Sequence, residues 1–334
     1  MKKRWCRMLV FLALTAFMLA CLMRILCVKS ENGASQARNL YNQPGNTIDV
    51  LFLGSSHVHC NVDTRVLWEQ EGIAAYLLTT AEQPVWNSYH YLLEALKTQT
   101  PKLVVVDMFG PVRFMDDIQE AWLGDNLDGM RFSGNKWKAI QASAPSDHME
   151  WMLGFPRYHD RYDDLVKEDF MNFWWNKKLL STWKGFLELQ NHAALTEPDI
   201  SQVTESLPLT EKSQMYFEKI MEVCEQKGIQ LLFLTAPYLV EETDQMRFNE
   251  ISRQAAEHGL LFKDYNQPEV YREMGMDFSL DFADHAHLNA QGAVKYTTHL
   301  ASWLKQNYEI PDRRGQKGYE SWEDHGVAVR DHAD

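Results

Sequence analysis

Two short segments, far apart in the chain, carry side chains whose types and spacing could do chemistry. The first is Gly54-Ser55-Ser56-His57. A serine hydroxyl becomes a nucleophile once a base takes its proton, and a glycine just before it allows the tight turn that would expose it. Backbone N–H groups entering a following helix can hold an oxyanion. Taken alone, Gly-Ser-Ser equally suits a turn that caps a helix. The second segment is Asp284-His285-Ala286-His287-Leu288-Asn289. Asp and His three residues apart on one turn can point the same way. Asp284 would then fix the tautomer of His287 and stabilise its imidazolium, while His287 takes a proton from the serine. Asn289 suits the N-cap of the next helix, so capping and catalysis would share this loop.

These residues need a scaffold that brings them together. Ile48 to Leu53 is an apolar strand ending at Gly54, and Ala74 to Leu78 is a second. Trp86 to Thr98 has helical spacing. Pro101 introduces Leu103 to Val106, a continuous run of the kind buried on both faces of a parallel sheet. Met215 to Gln226 reads as a helix stopped by Gly228, and Gln230 to Thr235 as a strand stopped by Pro237. Asn249 to His258 is helical, Leu260 to Phe262 a short fifth strand, and Ala290 to Gln306 a final helix. Alternating strands and helices predict an α/β fold with a doubly wound, parallel five-stranded sheet in three α/β/α layers, flavodoxin-like. Ligands of such sheets lie beyond the carboxyl ends of the strands, where Ser56 falls. Residues 111–208 break the alternation and hold six of the 11 tryptophans (Trp122, Trp137, Trp151, Trp174, Trp175, Trp183). They read as a helical insertion forming a cap, its aromatics mainly core.

The ends of the chain have their own character. Lys2-Lys3-Arg4 precedes an apolar run from Met8 to Met23, which resumes after Arg24 with Ile25 to Val28. With Arg24 reaching the headgroups, residues 8–28 can span a bilayer. The basic flank predicts a signal-anchor whose N-terminus stays inside and whose body lies outside the membrane. Domain limits follow: basic segment and anchor 1–29, linker 30–46, α/β domain 47–311, polar flexible tail 312–334. Residues 1–29 hold six basic groups and no acid, leaving 27 basic against 46 acidic groups, a net of −19, on the rest. So acidic a body would repel a nucleic-acid backbone, which excludes nucleic acid as a partner. Three of the five cysteines lie in the anchor, and Cys60 and Cys224 form neither a disulfide framework nor a zinc-ribbon pattern.

The serine after the first strand and the late Asp-x-x-His, in this order, resemble the SGNH/GDSL hydrolases over about residues 47–110 and 210–307. The Leu234-Thr235-Ala236-Pro237-Tyr238 run is similar to that family's fourth strand and following loop. The resemblance implies Ser56 as nucleophile, His287 as base and Asp284 as the orienting acid, with no cofactor and no metal. Ser55 stands where the family's Gly-Asp-Ser block has its acid, and Asp107-Met108-Phe109-Gly110 where it has Gly-x-Asn-Asp. The candidate oxyanion donors are the Ser56 backbone N–H and the side chains of Gln83 and Asn87. With an N-terminal anchor the pattern looks closest to the membrane-tethered branch that includes the D-alanyl-lipoteichoic acid and alginate O-acetylation proteins. That implies an extracytoplasmic serine esterase or O-acyltransferase on a cell-envelope polysaccharide or teichoic-acid-like polymer, beside a multispanning membrane O-acyltransferase.

Two other readings compete. The crevice could hold glycan without catalysis, as an accessory protein of envelope acylation. Alternatively, His57, His59 and Cys60 with Asp284, His285 and His287 could ligate zinc in a hydrolase, although their spacing matches no metal motif.

Overall fold

Val, Leu and Phe dominate the runs that become strands, and period-two alternation decides which face each side chain serves. The computed structural model describes residues 2–30, 32–114, 116–171, 173 and 184–323. The fold is α/β. Among the described residues one all-parallel sheet is formed by β1 (Val50–Gly54), β2 (Ala75–Thr79), β3 (Leu103–Asp107), β4 (Gln230–Thr235) and β5 (Leu261–Asp264), in the order β2-β1-β3-β4-β5. Sixteen α-helices accompany it among those residues. Leu51, Leu53, Val104, Val106 and Phe233 join one core cluster with Tyr91 and Leu92 of the helix Val85–Ala95 and with Phe217 and Ile220 of the helix Glu211–Lys227. Phe52, Val105, Leu232 and Leu234 join a second with Leu67 of the helix Thr64–Glu71 and with Leu300 and Leu304 of the helix Ala290–Asn307.

Five strands were expected and five occur, with ends shifted by one or two residues. Two helices run longer than their apolar periodicity, while that expected over Trp86 to Thr98 is shorter, Val85–Ala95. Glu211–Lys227 starts four residues before Met215 because Thr210 caps it, its hydroxyl accepting from Ser213 N–H. Glu242–Glu257 starts seven residues before Asn249: its first turn is polar, and of the added residues Phe248 is buried in the core.

Three boundaries differ from the sequence reading. Residues 30–46 are more than a linker: the helix Ala34–Leu40 buries Ala34, Ala37 and Leu40, and Gln36 accepts at its carbonyl from the Tyr76 hydroxyl of β2. Residues 312–323 are more than a loose tail. Arg313 forms a two-pronged ion pair with buried Asp49, and Trp322 is fully buried, its indole N–H donating to the Ala75 carbonyl. The insertion is helical only in part. Five short helices and a 3-10 turn run from Glu120 to Met171, but residues 184–209 contain no helix. This second stretch lies beside β2, with Leu77 N–H donating to the Lys184 carbonyl, and behind the nucleophile loop, with Leu187 N–H donating to the His59 carbonyl. Of the insertion's tryptophans, Trp151 is buried and Trp122 packs on the first core, while Trp174, Trp175 and Trp183 lie outside the described residues.

The helix Lys2–Leu26, 25 residues, is long and apolar enough to cross a membrane and is almost wholly exposed. Its last turns meet the insertion: the Leu26 carbonyl accepts from Arg161, and Arg24 donates to the Phe173 carbonyl.

Candidate active site

The nucleophile loop is set by one glycine. Gly54 ends β1 at φ +155°, and a Cβ there would sit 2.6 Å from Val58 Cγ2 and 2.8 Å from Asp107 Cβ. Only a residue without a side chain lets β1 turn this sharply beside β3. Ser55 then caps the short helix Ser56–His59, its hydroxyl accepting from His57 N–H at 3.3 Å. That places Ser56, partly buried, at the helix's first position, where its own N–H has no intrahelical acceptor.

The histidine loop arrives from the other end of the chain. Phe282 bridges to Leu288, and Asn289 caps the helix Ala290–Asn307 by accepting from Gly292 N–H at 3.0 Å. Gly292 is needed there, since a Cβ would lie 2.1 Å from the Asp281 carbonyl oxygen. Asn61, five residues after Ser56, accepts from Leu288 N–H at 2.8 Å, and Thr297 accepts from Asp63 N–H at 2.9 Å. These bonds tie the two loops together.

The outcome is a continuous chain of hydrogen bonds. Ser56 Oγ lies 2.8 Å from His287 Nε2. His287 Nδ1 lies 2.9 and 3.0 Å from the two Asp284 oxygens. A carboxylate accepts only, so Nδ1 carries the proton and Nε2 is left as the acceptor of the serine hydroxyl. Burial raises the Asp284 carboxyl, but the hydrogen bond and charge of His287 and the Ala286 N–H outweigh it and hold it at about 2. The structure therefore brings together all three residues expected from the sequence in one Ser–His–Asp hydrogen-bonded chain.

Each of the proposed side-chain oxyanion donors already gives one amide N–H to a neighbour. Gln83 donates its amide to Ser88 Oγ at 2.9 Å, and Asn87 donates to Asn126 Oδ1 at 3.0 Å while accepting from Ser143. Both are fully buried in the loop after β2 and the helix that follows. The third candidate, the Ser56 backbone N–H, stands at the first position of its helix.

The histidines weighed as metal ligands have other partners. His57 Nδ1 lies 3.1 Å from Asp107 Oδ1, both side chains buried, and its ring stacks on Phe109 with centroids 4.3 Å apart. His59 bonds Thr79 Oγ1 at 3.1 Å, and burial, aided by the nearby His287, pushes it down to about 3. The Cys60 thiol is pushed far up by burial and then by Asp284. His285 is exposed, and its carbonyl accepts from Leu239 N–H. Among the described residues no three His, Cys, Asp or Glu side chains gather as a metal ion would require.

Sequence reasoning missed the His57–Asp107 pair and the Asn61 bridge. Asp107 was visible only as a departure at the end of β3, and an asparagine in a turn carries no signal of a partner 227 residues away. Compared with models of known protein families the chain matches none, and no curated protein is similar enough to count as a relative.

Proposed function

We propose that this chain is an extracytoplasmic serine esterase or O-acyltransferase of the SGNH/GDSL type, acting on a cell-envelope polysaccharide or teichoic-acid-like polymer. The observation that carries this reading is the bond from Ser56 through His287 to Asp284 at the carboxyl end of a parallel sheet. Its strand order, with apolar clusters on both faces, favours the doubly wound, flavodoxin-like arrangement of that family. The apolar helix at the N-terminus, flanked by Lys2, Lys3 and Arg4, favours a single-pass anchor with the body outside. A multispanning membrane O-acyltransferase is the partner this reading implies.

The chemistry follows from the geometry. Ser56 Oγ attacks an acyl carbonyl as its proton passes to His287 Nε2, and Asp284, held anionic, stabilises the resulting imidazolium. The carbonyl electron pair moves onto oxygen, facing the Ser56 N–H. Collapse expels the first alcohol, which leaves with the proton from Nε2, and an acyl-Ser56 ester remains. An acceptor hydroxyl then gives its proton to Nε2 and attacks the ester; as the adduct collapses, Ser56 Oγ leaves and takes that proton back from Nε2. Water as acceptor makes the protein an esterase; a polymer hydroxyl makes it a transferase.

The test is to treat the full-length protein with p-nitrophenyl acetate and map the acetyl group by peptide mass. Acetylation at Ser56, lost in Ser56→Ala, supports the proposal; acetylation elsewhere only, or none, overturns it. The engaged amides of Gln83 and Asn87 favour one rival, a non-catalytic glycan-binding accessory protein. Under that reading Ser56→Ala leaves polymer acylation in cells unchanged while loss of the whole chain abolishes it.

A further inference from the structure

A second site lies between the helices Val85–Ala95, Gly134–Ser143 and Glu211–Lys227, around a cavity of ≈ 330 Å³. None of Ser56, Asp284 or His287 lines it. The volume is at the small end of ligand pockets, about 300–1,000 Å³, and suits one sugar-sized ring.

Its floor is His90, 2% exposed, whose Nε2 has no hydrogen-bond partner among the described residues. The state of that atom follows from its neighbours. Asn135 Nδ2 donates to the Glu94 carboxylate at 2.7 Å and to the His90 carbonyl at 2.9 Å, which fixes the amide so that Oδ1 faces the ring. His90 Nδ1, 2.7 Å from Asn135 Oδ1, is therefore the protonated nitrogen, and Nε2 is a bare acceptor. Burial, reinforced by the charges of Lys219 and Lys138, lowers His90 to about 4 and keeps it neutral. Such an acceptor is completed by a hydroxyl, from water or from a bound molecule.

The walls supply the rest. Tyr89 and Tyr216, both partly exposed, have ring centroids 5.6 Å apart at 59°. Lys219 Nζ lies 4.4 Å from the Tyr216 centroid, and Lys138 is exposed at the rim. Neither lysine pairs with a carboxylate among the described residues. On a body of net charge −19, two unpaired cations around one cavity single out an anion.

We propose that this cavity binds an anionic sugar: a hydroxyl donates to His90 Nε2, a carbohydrate face lies against Tyr89 and Tyr216, and a carboxylate or phosphate meets Lys138 and Lys219. The site stands apart from the acyl chemistry at Ser56 and does not depend on it.

Saturation-transfer NMR on the full-length protein in detergent micelles tests this with D-glucuronate and D-glucose 6-phosphate, against D-glucose read directly and inorganic phosphate read by its competition with the sugar signal. At least one anionic sugar binds saturably and at least tenfold more tightly than either control, and the preferred one tells carboxylate from phosphate. His90→Phe and the surface change Lys219→Met each weaken it at least tenfold, and Ser56→Ala leaves it unchanged. Lys219→Met, on a partly exposed side chain, keeps the test decisive should His90→Phe fail to fold. No saturable sugar binding, equal binding of phosphate alone, indifference to Lys219→Met, or loss in Ser56→Ala each overturns the proposal.

Discussion

Asp284, His287 and Ser56 each do one thing that the other two cannot. In the proposed reaction the hydroxyl is the nucleophile, His287 Nε2 the base that takes its proton, and the carboxylate the group that fixes which nitrogen carries the proton. Ester hydrolysis by the purified protein is expected to fall by about 10⁴-fold or more in Ser56→Ala and in His287→Ala, and by about 10³–10⁴-fold in Asp284→Asn, read as kcat/KM. Asp284 also links stability to acidity. Its native carboxyl titrates at about 2, below the unfolded value of about 3.9, so the stabilisation it gives is present above pH 4 and disappears as pH falls toward 2. In thermal melts from pH 6 to pH 2 the Tm gap between the native protein and Asp284→Asn should therefore close; a constant gap contradicts the link. His59, which burial holds down to about 3, adds a loss of its own below about pH 6.5, where the unfolded chain takes up a proton that the native state does not; this loss is common to both proteins and leaves the gap between them unchanged.

At the scale of elements, the nucleophile loop depends on how closely β1 and β3 approach at their carboxyl ends. Gly54→Ala puts a methyl group into Val58 and Asp107 and demands a φ of +155° from a residue that avoids it. Unfolding by denaturant should show a loss of about 1–3 kcal/mol. The His57–Asp107 pair fastens the same loop from below. Asp107→Ala leaves His57 Nδ1 buried with nothing to bond, for a further loss of about 1–3 kcal/mol. Since Ser56 lies between Gly54 and His57, both changes should also lower kcat, though neither residue touches the triad's hydrogen bonds. These strands were legible because apolar runs bounded by Gly and Pro have few other fates. The pair across β1 and β3 was not, because register decides who faces whom and no local pattern encodes register between strands about 50 residues apart.

Across the whole molecule, the two ends of the chain close over the same edge of the sheet. The helix Ala34–Leu40 packs on β2, and Trp322 packs beside Trp68 with its N–H on the Ala75 carbonyl. Trp322→Ala should cost about 3–5 kcal/mol, as for other fully buried aromatics, and a chain ending at residue 311 should melt earlier than the full one. If both were as stable as the native protein, the docking of residues 312–323 would be energetically empty. Composition hid this docking: the segment is polar on average, and its two anchors, Arg313 and Trp322, act singly rather than in a periodic pattern.

What the amino-acid order determines alone is whatever depends on near neighbours. Apolar runs become strands, Gly54 becomes a turn, Asn289 becomes a cap, and Asp284 and His287 share one turn because three residues separate them. A helix of 25 residues built around the apolar run Met8 to Met23 likewise needs no partner to be long enough for a membrane. Only the tertiary structure decided that His287 meets Ser56 across 231 residues, that Gln83 and Asn87 are engaged elsewhere, and that His90 keeps a bare acceptor in a cationic cavity. The reason is directional: a hydrogen bond exists or fails within a few tenths of an ångström, and that distance is set by the packing of helices and strands far apart in the chain.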